Sequence, residues 1–166
     1  MATLPDVIHE YLQTFVQQRA PERLLFIGDA PDTTRLQRNS RASTVILSAD
    51  QSLEPTAMRN GERFDLAVVI NGLARLPRPA GNRLLGQLRD TRAAGVLVVT
   101  GPTTPDQTVW NSSDFIALGF RRSANSRYIA PGWAIYRYDI HDYKTTPGWL
   151  NSRYWANPER WDDDRW

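Results

Sequence analysis

The chain has 166 residues, of which 41% are hydrophobic and 23% charged, with no cysteine and a formal charge of +2. This length and apolar content describe one globular domain without disulfides, the lack of cysteine excludes thiol chemistry, and the small net charge gives no reason to expect long-range attraction to nucleic acid. The apolar runs are too short to span a membrane and the start of the chain lacks a signal-peptide pattern, so we expect a cytoplasmic protein without a membrane partner.

The first third of the chain predicts a helix followed by a β-α-β unit. Apolar residues over positions 4–16 recur at the spacing of one helix face. The apolar run at 24–28 predicts a buried strand, and the β-branched run at 44–47 predicts a second one. We expect a helix over residues 31–40 between these strands, which completes the unit.

The middle of the chain predicts two further strands around a helix. Residues 64–70 form the most apolar run of the sequence, which is typical of a strand buried on both faces. Leucines up to Leu88 recur at helical spacing, and Gly95 is expected to end that helix before a strand over residues 96–100.

The last predicted elements are a short helix and two strands. Ser112 or Ser113 can cap a helix that Gly119 ends. Residues 120–123 and 133–140 predict strands that lie close enough in sequence to form an antiparallel hairpin. Strands that alternate with helices in this way predict an α/β fold with an open, mostly parallel sheet and helices on both faces.

Five segments mark the ends of these predicted elements. They are, in order, LLFIGDAPD, TVILSAD, FDLAVVINGLARLPRP, GVLVVTGP and DFIALGF. Their order resembles that of the class I S-adenosylmethionine-dependent methyltransferases over residues 23–140. The resemblance implies a Rossmann-like sheet with parallel strands in the order 2-1-4-5, in the numbering of that family. Its third strand is expected to be reduced or absent, because residues 48–62 leave little room for a strand and a helix.

The resemblance also implies where a cofactor would lie. The family holds S-adenosylmethionine with an acid and glycines at the end of the first strand and with a second acid after the second strand, whereas this chain has Phe26 and Ser48 at those two acidic positions. Asp50 can replace the second acid only if the chain stays extended past Ser48. Since neither position carries an acidic side chain, we expect S-adenosylmethionine to bind weakly or not at all. The alternative is that S-adenosylmethionine binds as a cofactor. The candidate cofactor contacts are Gly28, Asp29, Ala30, Ser48, Asp50, Asn71 and Gly72.

Three functions remain open. The first is a methyltransferase-like domain with a degraded cofactor loop that acts as a non-catalytic binding or scaffolding protein. The second is an active S-adenosylmethionine-dependent methyltransferase of unknown substrate, with the cofactor around Gly28, Asp50 and Asn71. The third is an RNA-binding module, whose two arginine clusters lack interleaved aromatic residues, so that we do not expect nucleic acid as a partner. The clusters are Arg35, Arg38 and Arg41 and, further along, Arg75, Arg78, Arg83, Arg89 and Arg92.

The histidines do not form a metal-ligand pattern with other residues. His9 is expected on the polar face of the first helix. Arg137, Asp139 and His141 alternate along the last predicted strand and are expected to form a charge ladder on one face. We therefore assign no catalytic residue and no metal ligand.

Residues 144–166 differ in composition from the α/β domain that we assign to residues 1–143. This tail contains four of the six tryptophans. Disordered tails are poor in aromatic residues, so we expect an ordered segment that packs on its own domain or docks on a protein partner. The residues expected to make these contacts are Trp149, Trp155, Trp161 and Trp166.

Overall fold

The computed structural model of the chain describes residues 4–28, 41–51, 62–123 and 130–143. The strands in these residues form one sheet, in which the first four are parallel and the last is antiparallel to both of its neighbours. The strands are β1 Arg23–Gly28, β2 Ser43–Leu47, β3 Phe64–Ile70, β4 Ala93–Thr100, β5 Arg121–Arg122 and β6 Ala134–Asp139. Their order in the sheet is β2-β1-β3-β4-β6-β5. The predicted open sheet with a C-terminal antiparallel hairpin is confirmed.

Helices cover both faces of this sheet. The α-helices in the described residues are α1 Asp6–Arg19, α2 Arg78–Gln87, α3 Ser112–Ala117 and α4 Ile140–Tyr143. A 3₁₀ turn, Gly72–Arg75, precedes α2, and a π-helical turn, Leu88–Arg92, follows it. The cores on the two faces are separate, because α1 packs on one face and α2 with α3 on the other.

Successive residues of the central strands enter different cores. Phe26 and Val68 belong to the core beneath α1, whereas the next residues, Ile27 and Val69, belong to the core beneath α2 and α3. All four are fully buried, and each such side chain contributes about 1.5–3 kcal/mol relative to an exposed one. A strand covered on both faces has no polar side, which is why its sequence is a continuous apolar run.

The order of the parallel strands agrees with the resemblance. The series β2-β1-β3-β4 corresponds to the predicted order 2-1-4-5, in which β3 and β4 are the family's fourth and fifth strands. Among the described residues β2 forms one edge of the sheet and β5 forms the other. Three predicted features lie outside the described residues: the helix over residues 31–40, the trimmed connection at 52–61 and the tail.

Three predicted element boundaries differ from those of the structure. The helix of the middle segment ends at Gln87, and the strand that follows begins before Gly95, at Ala93. Ala93 pairs with Phe64 of β3. Pairing with the neighbouring strand therefore extends β4 to residues that have no strong strand preference of their own. The cap of α3 is Asn111, which forms a capping box with Asp114 in place of the predicted serine caps.

Both histidines differ from their predicted positions. His9 is only 2% exposed, because a helix that lies on a sheet buries a broad stripe that includes this side chain. His141 is not on the strand, since β6 ends at Asp139 and the chain enters α4. The Asp139 carboxylate accepts the backbone N–H of His141 at 2.9 Å and pairs with Arg19. The predicted charge ladder is therefore absent from this part of the described chain.

Candidate functional site

The carboxyl ends of the parallel strands lie at one edge of the sheet, which is where open α/β sheets bind their ligands. Gly28 and Thr100 end β1 and β4, while Ser48 and Asn71 directly follow β2 and β3. β6 is antiparallel, so its first residue, Ala134, lies at the same edge, opposite Thr100. The edge has two halves, one at the ends of β1 and β2 and the other at the ends of β3 and β4 with the start of β6.

Gly28 has a packing role at the end of β1. A Cβ at this position would lie 2.5 Å from the carbonyl oxygen of Ile70 on the adjacent strand, and the backbone φ is +156°. Side chains are not tolerated at such a distance from backbone atoms without movement of the strands. The close approach of β1 and β3 thus explains this glycine without a ligand. The neighbouring candidates Asp29 and Ala30 lie outside the described residues.

The chain turns immediately after β2. The Ser48 N–H donates to Gln51 Oε1 at 3.0 Å, and the Gln51 N–H donates to Ser48 Oγ at 3.3 Å. Asp50 is exposed within this turn. The condition for Asp50 to replace the missing acid was an extended chain past Ser48, and this turn does not meet it.

Asn71 joins the ends of β3 and β4. Its backbone adopts the left-handed conformation, with φ 52°, which asparagine tolerates better than most residues. Its N–H donates to the carbonyl of Val99 at 3.0 Å, and its Oδ1 accepts the N–H of Gly101 at 2.9 Å. Gly72 is buried beside Ala49. This half of the edge is therefore held by contacts between segments far apart in the sequence.

A cavity of about 410 Å³ opens beside Asn71, between the ends of β3 and β4, the start of β6 and residues 108–112. This volume is in the range of small-molecule sites. Asn71 lines the cavity, whereas Gly28, Ser48 and Asp50 do not. The other lining residues that matter for its chemistry are Thr100, Trp110, Ser112, Arg122, Trp133 and Tyr136.

One wall of the cavity is tied to α2. Arg78 donates from both terminal nitrogens to the carboxylate of Asp114, at 2.6 and 2.8 Å, and also to the carbonyl of Val109 at 3.0 Å. Its guanidinium lies 5.3 Å from the ring centre of Trp110, and the Trp110 indole N–H donates to the carbonyl of Leu73 at 3.2 Å. These contacts hold the Trp110 ring against the cavity.

The cavity is also lined by a pair of hydroxyl groups. Ser112 Oγ and the hydroxyl of Tyr136 lie 2.8 Å apart. The Tyr136 ring stacks on Phe115 with centroids 3.9 Å apart, so the core fixes its position.

In the loop after β4, the hydroxyl of Thr104 donates to the exposed Asp106, and this hydrogen bond, aided by the Asp106 backbone amide, lowers the pKa of that carboxyl.

The sequence analysis did not assign ligand contacts to Trp110, Ser112, Arg122 or Tyr136. They come from three separate segments, and their proximity depends on the antiparallel return of β6. One signal was available: residues 101–111 form a long and mostly polar loop after a central strand, and such loops often carry functional residues.

Comparison with known proteins gives a family and a fold. A model described as "Family of unknown function (DUF6231)" matches residues 6–166. No curated protein matches the chain significantly in sequence.

Solved structures of methyltransferases resemble the chain at low sequence identity. The methyltransferase domain of bacterial CtHen1 has a TM-score of 0.53 at 10% identity, covering 82% of this chain and all of that one. The small RNA methyltransferase HEN1 has a TM-score of 0.60 at 8% identity, covering 86% of this chain and 26% of that one. Magnesium protoporphyrin IX methyltransferase from Synechocystis PCC 6803, with bound SAH, has a TM-score of 0.50 at 10% identity, covering 78% of this chain and 80% of that one. The chain therefore has a methyltransferase-like Rossmann fold, as the sequence resemblance implied.

Two kinds of feature are absent from the described residues. No helix among them is long and apolar enough to cross a membrane. Within the same residues, no three side chains of the metal-binding types come together.

Proposed function

The chain belongs to the DUF6231 family, and we propose that it is a non-catalytic binding protein whose ligand occupies the cavity beside Asn71. The observation that carries this proposal is the contrast between the two halves of the carboxyl edge. The described residues at β1 and β2 fit the cofactor poorly, whereas those at β3, β4 and β6 enclose a cavity with fixed polar groups.

The poor fit to S-adenosylmethionine rests on two positions. Phe26, where the family has an acid, is fully buried in the core beneath α1. Ser48, where the family has the second acid, is engaged with Gln51, and Asp50 is displaced by the turn. A charge-assisted hydrogen bond contributes about 1.5–3 kcal/mol, so the loss of two corresponds to about a thousandfold in affinity.

The lining of the cavity favours a small molecule with a planar body and an acidic group. Trp110 and Trp133 provide flat apolar surfaces, and Arg122 provides a guanidinium suited to a carboxylate or phosphate. Asn71 and the Ser112–Tyr136 hydroxyl pair add neutral hydrogen-bonding groups. Such a mixture of apolar walls and a few fixed polar groups is characteristic of ligand sites.

Cofactor binding is tested with S-adenosylhomocysteine, by calorimetry and thermal shift on the whole chain. We expect no heat and no shift at micromolar ligand. A ligand at about 100 times its Kd would stabilise the fold by about 2.7 kcal/mol, or about 5–10 °C. A shift of that size would overturn the non-catalytic proposal.

Cavity binding is tested with phenyl phosphate and benzoate as probes, observed by saturation-transfer NMR. We expect contact signals that Ser112→Leu abolishes by filling the cavity and that Arg122→Gln weakens. Arg63→Gln, an exposed arginine before β3, is the matched control. Equal signals from wild type and Ser112→Leu would contradict a ligand site in this cavity.

An active methyltransferase is the second candidate. It is favoured by the position of Asn71, which follows the central strand β3 and lines the cavity while lying at the same edge as Gly28. In this reading Gly28, Asp50 and Asn71 surround the cofactor. It predicts micromolar binding of S-adenosylhomocysteine, weakened at least tenfold by Asn71→Ala.

We also propose that residues 144–166 dock, either on the chain's own domain or on a protein partner. Support comes from the four tryptophans of the tail and from the family match, which includes it. Deletion of residues 145–166 distinguishes the two modes: a large fall in Tm indicates packing on the same chain, and loss of a co-purifying protein at unchanged Tm indicates a partner. If neither changes, docking by the tail is wrong.

A further inference from the structure

A second recess lies on the opposite face of the sheet from α2, between α1 and the edge formed by β5 and β6. It has a volume of about 530 Å³, and we refer to it as the arginine groove. Three of its lining residues are arginines and two are aromatic, and none is acidic. The residues are Tyr11, Phe15, Arg121, Arg122, Ser123 and Arg137, and Thr14 and Gln18 also line the groove.

The groove places like charges directly opposite each other. In the antiparallel pairing of β5 with β6, Arg121 is the partner of Arg137, and such a pairing is unfavourable. Among the described residues Arg137 pairs with the carboxylate of Asp142, at 3.5 Å, and both side chains are about half exposed, at 47% and 46%. The exposed Arg121 has no ion pair with a described residue. A polyanion would relieve this repulsion.

The aromatic residues form a stacked pair at the other side of the groove. The rings of Tyr11 and Phe15 lie 6.2 Å apart with an angle of 27° between their planes. The Tyr11 hydroxyl lies 3.1 Å from Ser123 Oγ, which joins α1 to the end of β5. Both rings pack partly on the core and remain half-exposed. They are therefore held in place while part of each ring is open to a ligand.

We propose that the arginine groove binds single-stranded nucleic acid, with phosphates on the arginines and a base against the Tyr11–Phe15 pair. Guanidinium groups bind phosphate oxygens well, and aromatic side chains stack bases regardless of sequence. An acidic peptide would satisfy the arginines but would leave the aromatic pair without a role. The aromatic pair therefore favours nucleic acid over a protein partner.

This groove differs from the arginine clusters seen in the sequence. Those clusters lack aromatic neighbours, which was the reason to expect no nucleic acid as a partner. The groove combines residues near positions 11–15, 121–123 and 137, which only the fold brings together. The groove shares Arg122 with the cavity, whereas Ser112 and Asn71 line only the cavity. Arg121 and Arg137 line the groove and not the cavity, so variants of these two residues test the groove separately from the ligand proposed for the cavity.

The test is fluorescence anisotropy of the whole chain with a labelled oligouridine of about 12 nucleotides, at several salt concentrations. We expect Arg121→Ala and Arg137→Ala each to raise Kd about threefold to tenfold and to lower the slope of log K against log salt by about 0.7. Phe15→Leu is expected to raise Kd about fivefold or more without changing that slope, because it removes stacking and not charge.

Two arginines that do not line the groove serve as comparisons. Arg63→Ala, at the amino end of β3, is the matched control and should leave Kd unchanged. Arg83→Ala tests the sequence cluster on α2: an effect as large as that of Arg121→Ala would overturn the groove as the site. Circular dichroism and Tm confirm that each variant folds, and Arg121→Ala should not lower Tm.

The remaining outcomes are also decisive. Complete displacement of the RNA by polyglutamate, together with an unchanged Kd for Phe15→Leu, would identify an acidic protein segment as the ligand and overturn the proposal. Absence of oligouridine binding at about 50 mM salt, where phosphate contacts are strong, would do the same.

Discussion

The two halves of the carboxyl edge are held by different kinds of contact. At β1 and β2 the contacts are backbone packing at Gly28 and a local turn between Ser48 and Gln51. At β3, β4 and β6 they are side-chain contacts such as Arg78 with Asp114. Backbone packing and a short turn preserve the sheet without building walls beside it, whereas side-chain contacts between distant segments build the walls of a cavity. The described residues thus keep the methyltransferase-like sheet at both halves of the edge, and at β3, β4 and β6 they also enclose a ligand-sized space.

The largest expected effect is on the cavity half, from Phe115→Ala. Phe115 is fully buried and stacks on Tyr136, so the change leaves a void behind the cavity wall. We expect a loss of about 3–5 kcal/mol in the free energy of unfolding. Urea denaturation measures it, and Phe115→Leu, which refills part of the space, should recover more than half. A loss below about 1 kcal/mol would show that this wall does not depend on the core.

On the other half, Gly28→Ala is expected to cost about 1–3 kcal/mol, because the new Cβ would meet the carbonyl oxygen of Ile70. The matched change is Gly86→Ala in α2, where a Cβ has nothing within 4 Å. That control should be neutral or stabilising. If Gly28→Ala left the unfolding midpoint unchanged, the packing explanation for this glycine would be wrong.

Arg78→Gln separates stability from the order of the cavity wall. Its ion pair with Asp114 is partly exposed, at 41% and 21%, so we expect a loss of at most about 1 kcal/mol. Amide hydrogen exchange at Val109 and Asn111 should nevertheless quicken, because the loop loses its tie to α2. Arg63→Gln should change neither. Unchanged exchange in the Arg78 variant would contradict the assigned role.

The smallest effects are expected in the turn after β2. Ser48→Ala removes one hydrogen bond at a partly exposed site, which is worth about 0.5 kcal/mol. Asp50→Ala should lie within about 0.5 kcal/mol of wild type, as thermal denaturation can measure. If Asp50→Ala instead abolished binding of S-adenosylhomocysteine, the two halves of the edge would both be functional and the comparison would fail.

The sequence by itself determined the sheet. Strands such as β3 are buried on both faces, so each appears as a local apolar run that can be recognised without its neighbours. The order of those runs and of the helices between them predicted the α/β fold, and the resemblance to the class I methyltransferases supplied the strand order. The candidate residue Asn71 was also accessible, because it directly follows such a run.

Only the tertiary structure decided which polar residues meet. Four features depend on partners or surfaces that the folded chain supplies. They are the turn at Asp50, the burial of His9, the Ser112–Tyr136 pair and the pairing of Arg121 with Arg137 across the strands. The physical reason is that apolar burial is signalled by a residue's own side chain, whereas a cavity or a charged groove is a relation between side chains. Such a relation forms only when helices and strands pack together, and the local sequence around each of the two side chains does not predict it.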